Sequence, residues 1–122
     1  MMRERVYHIT TNAEVQSARQ SSRYLPTAFD REGFIHCSYR RQVMATANRI
    51  FRGREDLVLL EIDLEQLSCP VLDENLEGGC ELYPHIYGPL PMAAVIAVHP
   101  LSPDADGSFS LPVALTSTAI RT

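Results

Sequence analysis

Apolar and polar residues alternate from Arg5 to Thr10, and a period of two predicts a strand. Thr11-Asn12-Ala13-Glu14 then reads as a capping box, so a helix is expected to start there. Val15 and Ala18 mark its buried side, and it should stop near Ser21. No period runs through Arg23 to Arg31, which predicts an irregular loop with Tyr24, Leu25, Pro26 and Phe29 as packing groups. Gly33 leads into a short strand from Phe34 to Cys37. Ser38 is the expected N-cap of a second helix, in which Val43, Ala47, Ile50 and Phe51 recur at helical spacing and Gly53 follows the last turn. Leu57 to Asp63 predicts a buried strand, Leu64 to Leu67 a helical turn, and Val71 to Glu74 another strand. Glu77-Gly78-Gly79 is a turn, after which Cys80 to Tyr83 and His85 to Tyr87 continue as extended chain around Pro84. Gly88-Pro89-Leu90-Pro91 breaks that run, and Met92 to His99 predicts a further buried strand. Beyond Pro100, Ser102 to Ser108 is loop-like, and Phe109 to Arg121 alternates weakly, as an edge strand or a loose tail would. This order of elements describes a mixed α+β domain.

Three of the predicted strands place a histidine beside an isoleucine: His8-Ile9, Ile35-His36 and His85-Ile86. Neighbouring side chains on a strand point to opposite faces, so an isoleucine in the core turns its histidine away from it. A lone strand histidine is ordinarily a hydrogen-bonded packing residue. Here each falls in a polar and aromatic cluster, and their convergence on one cleft is the functional expectation. His99, at a strand end before Pro100, lacks such company and reads as structural. Glu81 is the candidate carboxylate, and Tyr87 is either core packing or a ring that stacks on a planar ligand. Three histidines and a glutamate can bind zinc, but no two of the histidines lie at i,i+2 or i,i+4, and no metal is expected.

Composition narrows the chemistry. A chain of 122 residues, 45% hydrophobic, suits one domain with a real core. No apolar run could span a bilayer and the start lacks a secretory stretch, so a soluble cytoplasmic protein is expected. Cys37, Cys69 and Cys80 fit reduced thiols, and alternation turns Cys37 away from His36. The net charge of −4 argues against general nucleic-acid binding. Residues 11–54 nevertheless carry eight arginines against three acids, so this half could meet phosphates locally. All eleven basic residues are arginine, which excludes lysine Schiff-base chemistry and a phosphate-loop lysine.

YHIT near the start, GFIHCS, NRIFRGREDLVLLEID and ELYPHIYGPLP, in that order, resemble the DUF952 family of small bacterial proteins from about Val6 to Leu101. Residues 1–101 are thus read as a DUF952-like α+β domain and 102–122 as an extension or tail. The family is similar in fold to the ADP-ribosyltransferase superfamily, including its RNA 2'-phosphotransferase branch. That resemblance implies split antiparallel β-sheets with two flanking helices and an NAD-binding cleft between the sheets. It implies a first-strand histidine, His8, followed two residues later by Thr10, holding the nicotinamide-side ribose. His36 fits the second position, with Ser38 beyond it, and either Glu81 or His85 the third. Tyr87 would stack on the nicotinamide, while Arg23 and Arg40 are charge-based candidates for the pyrophosphate. The implied substrate is NAD or an ADP-ribose-bearing molecule, such as a nucleotide or a modified RNA end. A non-catalytic nucleotide-binding module and a metal-dependent hydrolase are the alternatives.

Overall fold

A computed structural model of the chain describes residues 5–76 and 78–116. Its strand pairings among those residues are all antiparallel. The first sheet holds β1 (Arg5–Thr11), β4 (Leu57–Asp63) and β8 (Val95–Leu101), with β4 in the centre. All seven residues of β4 are buried, as its nearly unbroken apolar run predicts. Its two faces feed different parts of the core. Val58, Leu60 and Ile62 join Val6, Val15 and Ala18 on one side. On the other, Leu59 meets Tyr7, Val43 and Leu115, and Leu57 meets Ala47, Leu101 and Phe109. Burying one such side chain stabilises the fold by roughly 1.5–3 kcal/mol, so this strand anchors both layers.

The second three-stranded sheet has the order β3 (Ile35–His36), β6 (Tyr83–Ile86), β5 (Val71–Glu74). Ile35 pairs with Ile86 and His36 with His85. A two-stranded ribbon joins β2 (Arg23–Tyr24) to β7 (Leu90–Pro91). The two large sheets meet where Tyr7 and Ser38 exchange backbone hydrogen bonds, both 2.8 Å. Helix α1 (Asn12–Ser21) starts at Thr11, whose hydroxyl accepts from the Glu14 N–H, and ends where Ser22 turns left-handed at φ 67°. The longer α3 (Arg40–Ile50) covers the tyrosine face of β1 with Val43 and Ala47. Two single-turn helices, α2 (Phe29–Glu32) and α4 (Val113–Thr116), complete a small α+β fold. Among the described residues no helix is long and apolar enough to cross a membrane.

Several local expectations change. The segment Arg23 to Arg31 is not irregular throughout: Tyr24 is buried and pairs with Leu90, a non-local partner that local periodicity does not reveal. Ser38 does not cap α3. Its backbone is occupied by Tyr7 and its hydroxyl meets Thr46, so the cap moves to Tyr39, whose N–H donates to the Gln42 side chain. Ile50 lies half exposed at the helix end instead of in the core. Strand β6 runs straight through Pro84, while Cys80 to Leu82 lie outside it. The expected strand from Met92 begins only at Val95, after a 3-10 turn over Met92–Ala94. The segment after Leu101 forms neither an edge strand nor a loose tail through residue 116. The Asn48 side chain holds both backbone groups of Phe109, and Phe109 and Leu115 are buried. Glu77 of the predicted turn and residues 117–121 of the predicted last segment lie outside the described residues.

Candidate functional site

The three histidines beside isoleucines come together. On the second sheet Ile35 and Ile86 face the core, fully buried, and alternation turns His36 and His85 to the opposite face. Their rings meet directly, with His36 Nδ1 and His85 Nε2 3.2 Å apart. His85 is itself 2% exposed, because Phe34 stacks on it at 4.1 Å with ring planes 12° apart. His8 works differently. It shares the face of Val6, so it points toward the second sheet rather than out of the core. Its Nδ1 lies 2.7 Å from the backbone carbonyl of His36, and its Nε2 lies 2.7 Å from the Tyr24 hydroxyl.

The protonation of His8 follows from these partners. A carbonyl only accepts, so Nδ1 carries the proton and donates. Burial pushes the imidazole down to about 4, outweighing the help of that carbonyl, so the ring is neutral at physiological pH. Neutral His8 leaves Nε2 with a lone pair, which takes the Tyr24 proton. Tyr24 also contacts Thr10 Oγ1 at 2.9 Å, and with its own proton committed it accepts from the Thr10 hydroxyl there. Both nitrogens of His8 are thereby used inside the protein. Burial also pushes the Tyr24 hydroxyl up, which keeps it a donor.

His85 continues the series outward. Its Nδ1 lies 2.9 Å from Glu74 Oε1, and the Tyr87 hydroxyl donates to the same oxygen at 2.5 Å. These bonds from Tyr87 and His85 hold the Glu74 carboxyl below its usual range, and the same carboxylate pushes the Tyr87 hydroxyl up. Cys37, beside His36 in sequence, is sealed in the core, and burial pushes its thiol up, away from thiolate chemistry.

A cleft of about 250 Å³ opens beyond the edge strand β1. His8 and His36 line it, with Ser38 and Thr46 as further polar groups and Phe34, Ile50 and Phe51 as apolar walls. Glu32 contributes the charged side chain of this lining. A second cleft of about 500 Å³, lined by Arg23, Glu14 and Asp30 among others, shares Pro26 with the first.

The remaining sequence candidates separate accordingly. Thr10 joins the centre through Tyr24, and Tyr87 through Glu74. Glu81 does not bond to the histidines: Gln42 and Arg41 donate to it at 2.8 and 3.0 Å, and those bonds hold its carboxyl low. Arg40 donates to the carbonyl of Leu115, and Arg23 belongs to the second cleft, so neither lines the histidine cleft. Charge alone selected these arginines and carries no information about facing. Glu74 is the carboxylate that the sequence reading missed. The β5–β6 pairing sets Glu74 opposite Tyr83, two pairs from Leu72–His85, so the signal lay in the register of the two strands. Among the described residues no group of three or more His, Cys, Asp or Glu side chains is arranged to hold a metal ion.

The family model for "Protein of unknown function (DUF952)" matches residues 9–98, which include His36 and His85 and begin one residue after His8. The chain belongs to the DUF952 family. Protein CC0527 from Caulobacter crescentus is similar along nearly its whole length. Its crystal structure is 35% identical, with a TM-score of 0.79, covering 88% of this chain and 94% of that one. Its solution NMR structure is 33% identical, with a TM-score of 0.76, covering 96% and 98%. No curated protein matches this DUF952 chain.

Proposed function

We propose that this DUF952 protein is a ribosyl-transfer enzyme of ADP-ribosyltransferase-like build, acting on NAD or an ADP-ribose-bearing substrate. The observation that carries the reading is the shared cleft: a first-strand histidine and a second histidine line one hollow beside the junction of two split antiparallel sheets. At about 250 Å³ the hollow is smaller than most ligand pockets, which run from about 300 Å³ upward. It suits the nicotinamide–ribose half of a dinucleotide. The larger cleft across Pro26, with Arg23 on its wall, is assigned to the phosphate-bearing half.

Transfer would proceed as follows. The acceptor oxygen bonds to the ribose carbon while the bond to nicotinamide breaks, its electron pair leaving with the nicotinamide nitrogen. The acceptor proton passes to a base, the role given to His36. Positive charge grows on the ribose, and a carboxylate in the cleft, here Glu32, lowers that barrier. The engagement of both His8 nitrogens and the position of Glu81 favour a second reading, a module that binds the same ligand without cleaving it.

Calorimetric titration with NAD and with ADP-ribose, alongside chromatographic detection of free nicotinamide, tests this. Binding of either ligand, weakened at least ten-fold by His36→Asn in a folded variant, with slow nicotinamide release by the wild type, is the expected outcome. Binding without release points to the module. No binding of either ligand by the wild type rejects both readings.

A further inference from the structure

The geometry points to Glu74 and His85 as positioning residues that fix the tautomer of His36 and receive its proton. Glu74 is ionised, since Tyr87 and His85 both bond to it, and an ionised carboxylate only accepts. His85 Nδ1 must therefore carry a proton and donate it. In neutral His85 this leaves Nε2 as an acceptor, and the atom 3.2 Å away is His36 Nδ1. His36 Nδ1 then carries the proton, and Nε2, itself buried, becomes the lone-pair nitrogen of a residue that lines the cleft. One carboxylate sets the direction of two imidazoles in series, as a second carboxylate-oriented histidine does in metal and hydrolase sites.

Two further observations support the assignment. Phe34 stacked on His85 fixes that ring in its plane, so its two nitrogens cannot exchange places without breaking the stack. The His36 and His85 rings lie 5.2 Å apart at 48°, and the Tyr83 ring flanks His36 at 5.3 Å. The arrangement also says where a proton goes. When His36 accepts one at Nε2, its Nδ1 proton can pass to His85 Nε2. His85 then becomes an imidazolium bonded to Glu74, the charge resting against a carboxylate instead of in the cleft. The groups facing this pair are Glu74 and Tyr87 at one end, Tyr83 beside His36, and neutral His8 on the His36 carbonyl.

The test needs no ligand, so it stands or falls separately from the proposed activity. Nitrogen-15 spectra of the histidine rings, recorded at a pH of about 8, well above the ordinary imidazole value, distinguish protonated from lone-pair nitrogens. The expected wild-type result is a single tautomer for both rings: Nδ1–H with a lone pair at Nε2. Glu74→Ala should convert that single state into a mixture at His36, two residues removed along the hydrogen bonds. Glu74→Gln, which keeps an accepting oxygen, should restore the single state. Wild-type His36 with its proton on Nε2 overturns the proposal, whatever the variants do. So does a Glu74→Ala protein whose His36 tautomer is unchanged.

Discussion

Two histidine–carboxylate pairs sit in this small domain, and they lead to different places. On the second sheet His85 bonds Glu74 at 2.9 Å; on the first, His99 bonds Glu61 at 2.8 Å. By distance they are equivalent. They differ in what the pair touches next. His85 passes through His36 to a cleft that His8 also lines. Glu61 gives its other oxygen to Arg5 at 2.7 Å, and His99 is not among the cleft residues. The sheet itself separates them: His99 sits on the Leu59 side of β4, and His8 on the Leu60 side. Burial pushes the Glu61 carboxyl up, but the bonds from His99 and Arg5 prevail and hold it low. A carboxylate beside an imidazole is thus not a site by itself, and the second nitrogen of the ring decides what it is for.

The sharpest way to break this comparison is through pH. His8 folds neutral, with its imidazole pushed down to about 4 from an ordinary 6.5. The unfolded chain therefore binds more protons between those values. The contribution of His8 is fully present above about pH 6.5 and is lost as pH falls toward 4, on the order of 3 kcal/mol in all. Urea unfolding across that range should show the loss in the wild type and a flatter profile in His8→Gln. Identical profiles would mean that His8 is not held neutral by the junction between sheets.

Glu61→Gln comes next in size. It leaves Arg5 and His99 facing an amide in a mostly buried place, which should cost about 2 kcal/mol of unfolding free energy. The ring signals of His8 and His36 should stay where they are. Movement of those signals would show that the two histidine–carboxylate pairs are one coupled system.

Much of the scaffold was legible because it is local or periodic. The apolar run of β4, the Thr11 cap and the alternation at Ile35-His36 and His85-Ile86 each follow from neighbouring residues. The centre was legible in its histidines and illegible in its carboxylate. Glu81 and Glu74 stand seven positions apart on one hairpin, and composition treats them alike. Only the β5–β6 register brings Glu74 to His85, while Gln42 of α3 draws Glu81 away. The role of Tyr24 was hidden for the same reason, since its partners come from two distant stretches of chain, His8 and Thr10 on β1 and Leu90 on β7.

That network gives a smaller prediction. Tyr24→Phe removes the donor to His8 Nε2 and the acceptor of Thr10, at about 1 kcal/mol, read as a shift in the thermal midpoint. It should move the His8 ring signals and spare those of His99. Smallest of all is Tyr87→Phe. Glu74 keeps its bond to His85, so the unfolding midpoint and the His36 tautomer should both be unchanged, whereas a changed tautomer would make Tyr87 part of the orienting series.

The central claim is that the hollow beside His8 and His36 receives a ligand and that the Glu61–His99 pair does not. Titrating the labelled protein with NAD while following all the histidine rings examines it directly. The account predicts saturable movement of His8 and His36, transmitted to His85, with His99 still. Movement of His99 alone, or equal movement of every ring, would contradict it.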